Sequence, residues 1–567
     1  MLRHGIYRGR YLLHIFQQNG YKSNELLRWL FRHWNTVLVP VPHLALILVT
    51  MIVLTFLEPY VTKTALTVAL VIFGSFWFGN ISQYDSTHVK KPLVFTPRMI
   101  RLAAVYTGVS IWIPLLGTSF ALYRGMLFPD IYILIFVWMF ADLILPYVLF
   151  LAAALIYPVE RFIQYRFKVK ARNKLAEMPE LTVVAITGSY GKTSTKFLID
   201  AVLKERFRVC TTPGSYNTPM GICKVINQDL QPSDQILILE MGARYVGNID
   251  ELCRIARPDI AVVTNVGVAH LESFGSLNAI ARTKGALIRH LKPGGTAILN
   301  GDDPEVRKMA DRNDITTIFA GLSGENNHIF ARNIGYDELG CTFDLQIRDT
   351  LPSLGGNAAD TVNSGPGNAG KQTVVADHAA TAETRTAGTK EQIRMSILGE
   401  HSVQNALLAA GSGVVMNLRL PTIKVALRKV APVPHRLELK KQNGIVIIDD
   451  AFNSNPVGAK NAISVLSAFR SGRKFVVTPG MVELGSVQDE ENRKFGAWMA
   501  KHKPDHVYLV GEVQTRPIYE GLKEGGFSDE QISVVGSLFE ANDLLRTKLR
   551  EGDVVLYEND LPDSYSE

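Results

Sequence analysis

Cysteine is scarce: Cys210, Cys223, Cys253 and Cys341 are the only four in 567 residues. None share the paired spacing of a zinc site or a disulfide framework, so reduced, buried thiols are expected. Charge is also sparse, at 20% Asp, Glu, Lys and Arg, low for a wholly soluble enzyme. No basic stretch is interleaved with aromatics, which excludes a nucleic-acid surface and leaves no nucleic acid among the expected partners. Large apolar residues nearly vanish over 350–391, where Gly, Ala, Asn, Thr and Ser prevail. Such a segment cannot bury enough surface to offset its ordering entropy and is expected to be a disordered insertion. The length requires more than one domain, since single cores stop growing near roughly 250 to 300 residues.

The missing polarity is concentrated in the first third. Apolar runs at 37–57, 66–81, 102–122 and 131–157 approach the roughly twenty residues that cross a bilayer, and the second is the shortest. They predict a four-helix transmembrane region over 1–157. Arg3, Arg8, Arg10, Lys22, Arg28 and Arg32 precede the first run, Lys90, Lys91, Arg98 and Arg101 separate the second from the third, and a basic stretch at 161–174 follows the fourth. Both termini are therefore expected on the cytoplasmic side of the inner (cytoplasmic) membrane, with the bilayer as a partner and the catalytic domains in the cytoplasm. The net charge of +7 then belongs to membrane flanks. Asp142 falls within the fourth run, where a carboxyl is either functional or a helix-packing contact. Residues 158–180 read as a basic amphipathic connector, with Phe162, Tyr165 and Val169 among arginines and lysines.

From 181 to 431 short apolar strands at 181–186, 235–239, 260–265, 296–299 and 316–319 alternate with helical stretches, which predicts an α/β domain with a mainly parallel sheet. After Ala431-Pro432-Val433-Pro434, a second alternating block with strands at 445–448, 474–478, 506–510, 532–535 and 554–557 predicts a Rossmann-like domain over 432–567. The first strand runs into Thr187-Gly188-Ser189-Tyr190-Gly191-Lys192-Thr193-Ser194-Thr195. A strand that turns through glycines into a helix aims backbone N–H groups and the helix dipole at one point, a cradle for phosphate. Lys192 can reach terminal phosphates and the Thr193 hydroxyl can ligate Mg2+. The general phosphate-loop pattern wants glycine five residues before Gly191, and Ile186 stands there.

Further motifs follow in order: Gly214-Ser215-Tyr216-Asn217-Thr218-Pro219-Met220-Gly221, Leu239-Glu240-Met241-Gly242-Ala243, Thr264-Asn265-Val266-Gly267-Val268-Ala269-His270-Leu271-Glu272 and Ala281-Arg282-Thr283-Lys284-Gly285. Beyond them stand Leu299-Asn300-Gly301-Asp302-Asp303-Pro304, Gly399-Glu400-His401-Ser402-Val403-Gln404-Asn405-Ala406, His435-Arg436-Leu437-Glu438, the run from Asp449 and Asp450 to Pro456, and Gly480-Met481-Val482-Glu483-Leu484-Gly485. In this order and spacing the chain resembles the Mur ligase family, most of all its D-alanyl-D-alanine-adding branch, over roughly 181–556 apart from the insertion.

The resemblance implies an ATP-dependent ligase that phosphorylates a carboxylate to an acyl phosphate, which an amine then attacks. It implies ATP and one or two Mg2+ ions as cofactors. The expected partners are a carboxylate-bearing cell-envelope precursor and an amine, amino acid or dipeptide. Gly188, Ser189, Tyr190, Gly191, Lys192, Thr193 and Ser194 would hold the phosphates, and Thr193, Glu240, His270 and Lys284 would surround metal. Lys192, Glu240, His270 and Lys284 form the expected catalytic set. Asn300 and Asn405 match adenine-site positions, Arg436 a phosphate-neutralising one, and Asp450 a nucleotide contact from the C-terminal domain. In the family the lysine matching Lys284 is often carbamylated, which would make it an anionic metal ligand; an unmodified phosphate contact or a surface helix lysine are the other readings.

Two departures stand out. Membrane helices occupy the place of the family's UDP-sugar domain, and Tyr557-Glu558-Asn559-Asp560-Leu561-Pro562-Asp563 stands where the branch usually carries Lys-Gly-Ser. Loss of the basic residue disfavours a carboxylate there and suits an ammonium group. Ligation of another substrate class (polyglutamate, cyanophycin or folate type), an ATPase-driven transporter and a nucleotide-responsive scaffold are the alternative functions.

Overall fold

Strands of a parallel sheet are covered on both faces, so they read as unbroken apolar runs, and each run expected above forms a strand. The computed structural model describes residues 2–34, 37, 84, 92–123, 137, 140–337, 340–348, 389–452, 454–470 and 472–560. Apart from Val37, the expected spans 37–57 and 66–81 lie outside the described residues, as do most of 131–139, the insertion at 350–388 and the tail from 561. The chain divides into two compact units, with the division falling between Tyr165 and Arg166 in the sequence.

In the second unit, β1 (Thr182–Thr187), β2 (Val209–Thr211), β3 (Ile236–Glu240), β4 (Ile260–Val263), β5 (Thr296–Asn300), β6 (Thr316–Gly321), β7 (Ile329–Asp337), β8 (Gly340–Ile347) and β9 (Lys390–Met395) form one sheet in the order β2-β3-β1-β4-β5-β6-β7-β8-β9. The pairs from β2 to β7 are parallel, and β7-β8-β9 are antiparallel. Apolar cores lie on both faces. With β1 between β3 and β4, successive connections leave β1 in opposite directions, and the crevice at its C-terminal end is where a doubly wound sheet collects ligands. The register sets Ile186 opposite Glu240, so the carboxylate ending β3 emerges beside the turn that follows β1.

The antiparallel extension was not expected. In β9 burial alternates along Lys-Glu-Gln-Ile-Arg-Met, a period-two signal too polar for a composition reading. The boundary of the insertion at 391 is corrected accordingly: Lys390 pairs with Gln346 and Glu391 with Leu345, and Glu391 accepts from Lys424 Nζ at 2.9 Å. β10 (Glu438–Gln442), β11 (Ile445–Asp450), β12 (Lys474–Thr478), β13 (His506–Val510), β14 (Ile532–Val535) and β15 (Val554–Glu558) make a second sheet, β10-β11-β15-β12-β13-β14, parallel except for the edge strand β10. All four cysteines are free and buried, and burial pushes the Cys223 thiol up to about 11 and the others to about 12.

Two helices among the described residues are long and apolar enough to cross a membrane, Pro97–Phe120 in the first unit and Leu145–Ala176, which begins there and runs past Tyr165. Their most apolar windows are 22% and 28% buried. The second helix runs through Pro158, where a connector was expected to begin. It continues to Ala176, although proline donates no backbone hydrogen bond there. Arg8, counted among the flanking charges, is instead fully buried. Its guanidinium donates to Asp142 Oδ2 at 2.8 Å and to the Val37 carbonyl at 2.8 Å, and His4 Nδ1 lies 3.2 Å from Asp142 Oδ1. Asp142 is thus a paired, helix-packing carboxylate in this structure.

Candidate active site

Ile186 is fully buried in β1, so the position where the general pattern wants glycine is a core strand residue and the turn begins two residues later. A Cβ on Gly188 would lie 1.8 Å from Thr264 Oγ1, and Gly191 sits at φ +76 where a Cβ would come within 2.7 Å of Asn405 Oδ1. Both glycines are demanded by close neighbours. The loop is held open by the segment after β4: Tyr190 N–H donates to Asn265 Oδ1 at 2.8 Å, Ser189 N–H to the Asn265 carbonyl at 3.0 Å, and Gly267 N–H to Ser189 Oγ at 2.8 Å. Lys192 opens the helix Lys192–Lys204 and folds its ammonium back onto the carbonyls of Gly188 (2.8 Å) and Ser189 (3.1 Å). Burial lowers its pKa to about 8, the Glu240 charge opposing the shift and Arg436 adding to it.

Glu240 is the hub. Its Oε1 accepts from Thr193 Oγ1 at 3.1 Å and from Asn217 Nδ2 at 3.2 Å, and Lys196 Nζ lies 3.3 Å from its Oε2. Thr193 Oγ1 and Glu240 Oε1 are separated as two neighbouring corners of an Mg2+ octahedron would be, about 3 Å for metal–oxygen bonds of roughly 2.0–2.1 Å. These two oxygens fit a magnesium ion. Lys196, fully buried, escaped the sequence reading although it lies one helical turn beyond Lys192. Asn217 stood inside a quoted motif without a role.

The C-terminal domain closes the site. His435 (φ +59) and Leu437 (φ +49) flank Arg436 in left-handed conformations, a local strain that aims the guanidinium inward. Arg436 packs over the Phe452 ring at 4.7 Å, and its Nη2 donates to Thr193 Oγ1 at 3.4 Å. A cleft between the two domains is lined by Tyr190, Gly191, Ser194, Asn405, Arg436 and Asp450. Asn405 Oδ1 accepts from Thr195 Oγ1 at 3.0 Å, while its buried Nδ2 has no partner among the described residues, a donor that fits an acceptor-bearing ligand such as a nucleotide base. Burial raises Asp450 to about 7, against the Leu437 N–H and Arg436. Behind the cleft Glu558 is pushed up to about 8 by burial, with Thr478 Oγ1 donating to it at 2.7 Å and Ser454 also bonded.

The remaining expected residues are less concentrated. Asn300 does not line this cleft; its Nδ2 donates to the Thr264 carbonyl at 2.8 Å and its Oδ1 accepts from Asp302 N–H at 3.0 Å. In this structure the amide of Asn300 braces the loop after β4 and its own turn. Lys284 is not a surface lysine. It is 3% exposed inside the helix Leu277–Arg289, and burial, then the Lys192 charge, holds its pKa well below the usual range. His270, at φ +59, turns its Nδ1 to Glu483 of the C-terminal domain. Among the described residues the only trio of His, Cys, Asp or Glu ligand atoms within 4.8 Å is His435, Glu438 and Asp449, which includes neither Glu240 nor His270. Lys440 fills that trio, 2.5 Å from Asp449 and 3.2 Å from Glu438.

A phosphate-loop domain whose switch-point cleft is completed by an arginine from a second Rossmann-like domain defines a two-domain nucleotide-binding enzyme. Residues 186–413 match the Mur ligase middle domain and 435–557 the Mur ligase glutamate ligase domain. The UDP-N-acetylmuramoyl-tripeptide--D-alanyl-D-alanine ligase of Mycobacterium leprae is 32% identical over 402 residues, covering 66% of this chain and 70% of that enzyme. The enzyme of the same name from Bacillus subtilis is 28% identical, covering 66% and 72%. The crystal structure of MurF ligase from Thermotoga maritima in complex with ADP superposes with TM-score 0.55 at 27% identity, over 70% of this chain and 80% of that one. MurF from Acinetobacter baumannii gives TM-score 0.57 at 23% identity, over 71% and 78%, a likeness of fold. The chain belongs to the Mur ligase family. It is an ATP-dependent, amide-bond-forming ligase, similar to the MurF enzymes.

Proposed function

We propose that this protein is a membrane-tethered ligase of peptidoglycan-precursor synthesis, joining a carboxylate of a muramoyl-peptide-like precursor to an amine-bearing amino acid or dipeptide at the cytoplasmic face. The observation that carries the proposal is the reach of Arg436 from one domain to Thr193 of the other, beside Glu240, which gathers cations and magnesium-type oxygens where phosphoryl transfer needs them. Lys192 meets the transferring phosphate. Thr193 and Glu240 hold Mg2+, which when bound screens the phosphate charges. Tyr190, Ser194, Asn405 and Asp450 hold the nucleoside side, with Gly188, Ser189 and Gly191 shaping the cradle and Asn300 bracing it. His270 is the nitrogen ligand, and the apolar helices of the first unit supply the tether.

Lys284, buried and held toward its neutral form, is the amine that can add carbon dioxide and release a proton. The resulting carbamate would be an anionic ligand for a second Mg2+. The domain division at 157, 180 and 431 accompanies this reading. The test is phosphate release and product mass spectrometry on the purified full chain, with ATP, a UDP-muramoyl tripeptide and D-alanyl-D-alanine. Lys192→Ala should lower ligation by about 10³-fold or more while the protein keeps its fold. Product formation by Lys192→Ala at the unaltered rate sinks the assignment of the phosphate loop.

A further inference from the structure

Glu483 stands on the loop after β12 and reaches across the domain boundary to two residues of the central domain. One of its carboxylate oxygens faces His270 Nδ1, and the other accepts from Arg244 Nη2 at 2.8 Å. Glu483 itself sits at φ +63 and His270 at φ +59, so both backbones are held in a region that non-glycine residues seldom occupy. The contact is backed by packing. A Cβ on Gly485 would come 3.3 Å from the Glu272 amide nitrogen, and Val268 packs against the C-terminal core. On the other side Ser273 Oγ lies 2.7 Å from the Arg244 carbonyl and 2.9 Å from the His270 carbonyl, so its single O–H bridges the two acceptors. The ring therefore stands on a clamped loop, with one nitrogen committed.

That commitment decides which nitrogen has the lone pair. An ionised carboxylate only accepts, so His270 must present Nδ1–H to Glu483, and a neutral imidazole with its proton on Nδ1 carries its free lone pair on Nε2. We infer that Glu483 is a positioning residue that fixes the ligand tautomer and ring angle of His270, so that docking of the C-terminal domain prepares a metal ligand in the central domain. The inference rests on the reading of His270 as a metal ligand. Carboxylates that orient ligating histidines change metal affinity by roughly 10- to 100-fold when removed, and the unusual feature here is that the carboxylate belongs to a different domain from the histidine. Arg244 supplies the control. It holds the other carboxylate oxygen of Glu483, at 2.8 Å, and so shares the interdomain ion pair; its loss weakens docking while leaving the Glu483 oxygen that faces Nδ1 in place.

The experiment uses the full chain in detergent with a non-hydrolysable ATP analogue and Mn2+, an ion that accepts imidazole nitrogen, and reads binding without turnover. Mn2+ affinity is titrated by electron paramagnetic resonance, and pulsed measurements detect modulation from a bound ¹⁴N. The wild type should show the nitrogen signal and His270→Ala should lose it. Glu483→Ala should weaken Mn2+ by about tenfold or more and lose most of the signal. Glu483→Gln, which still accepts from Nδ1–H, and Arg244→Ala should each stay within about threefold of wild type. Unaltered affinity and signal in Glu483→Ala overturn the inference. Equal losses in Arg244→Ala and Glu483→Ala also overturn it, because domain docking alone would then explain both. A wild type without the nitrogen signal, or His270→Ala that keeps it, removes His270 as a ligand, and the inference falls with that assignment.

Discussion

Gly191→Ala perturbs the phosphate loop without touching a charge. The residue sits at φ +76, and an L side chain in the left-handed region costs about 1–2 kcal/mol. The new methyl would stand 2.7 Å from Asn405 Oδ1 and 3.3 Å from its Nδ2, so the amide must swing away. Its hydrogen bond from Thr195 Oγ1, 3.0 Å long, is then lost, about 1 kcal/mol more. The total is about 2–3 kcal/mol, and the two parts are separable. In an Asn405→Ala background the methyl meets no amide and only the backbone strain remains, so the double variant should be more stable than the sum of the singles by about 1 kcal/mol. Hydrogen exchange of the helix Lys192–Lys204 in the four proteins measures this locally, without assuming that a two-domain chain unfolds in one step. Strict additivity, or wild-type protection in Gly191→Ala, refutes the reasoning.

Burial raises Glu558 to about 8 and Asp450 to about 7, above their unfolded values of 4.5 and 3.8. Between those limits the folded state holds protons that the unfolded state has released, so C-terminal domain stability should fall as pH rises from about 4.5 to 8. Asp450 contributes a shift of similar size, so Glu558→Gln should remove about half of that slope and unfold later than wild type at pH 8; an unchanged pH profile of thermal unfolding counts against it. Lys284→Ala should lose ligation by about two orders of magnitude or more and recover in part with added short-chain carboxylates, whereas Lys284→Arg should not recover. Full activity in Lys284→Arg, assayed by product formation, excludes a carbamate there.

What could be read along the chain was whatever is local. The strand Lys474–Thr478 and the strand His506–Val510 were bounded to the residue because each is an apolar run ended by glycine, proline or charge. β9 was hidden because its inward positions, Glu391, Ile393 and Met395, include a carboxylate and alternate with Lys390, Gln392 and Arg394. The helix Leu145–Ala176 crossed an expected boundary because a proline in sequence marks a lost donor, not always a break. The motifs carried residue types but not their pairings: Thr195 meets Asn405 across 210 positions and Arg436 meets Thr193 across 243. Lys196 and Glu483 lay inside or beside recognised segments, yet nothing in their spacing says that one ends on Glu240 and the other on His270.

Those long-range pairings also explain why the site leans toward an anion. Lys192, Lys196 and Arg436 all lie in the field of Glu240, and Lys284 lies in that of Lys192. Asp450 adds to the field at Arg436 and Asp200 to that at Lys196, yet desolvation remains the first cause of the lowered pKa of each of the four groups. A polyphosphate entering the cleft supplies the charge that burial withholds, and it favours the protonated lysines that the ligand-free site disfavours. The same gathering of cations makes domain docking productive, since Arg436 arrives from the C-terminal domain and its approach to Thr193 places a further cation near Lys192. Without an anion that approach is opposed by repulsion, and with one it is drawn in, so nucleotide binding and closure support each other through the charges of these side chains.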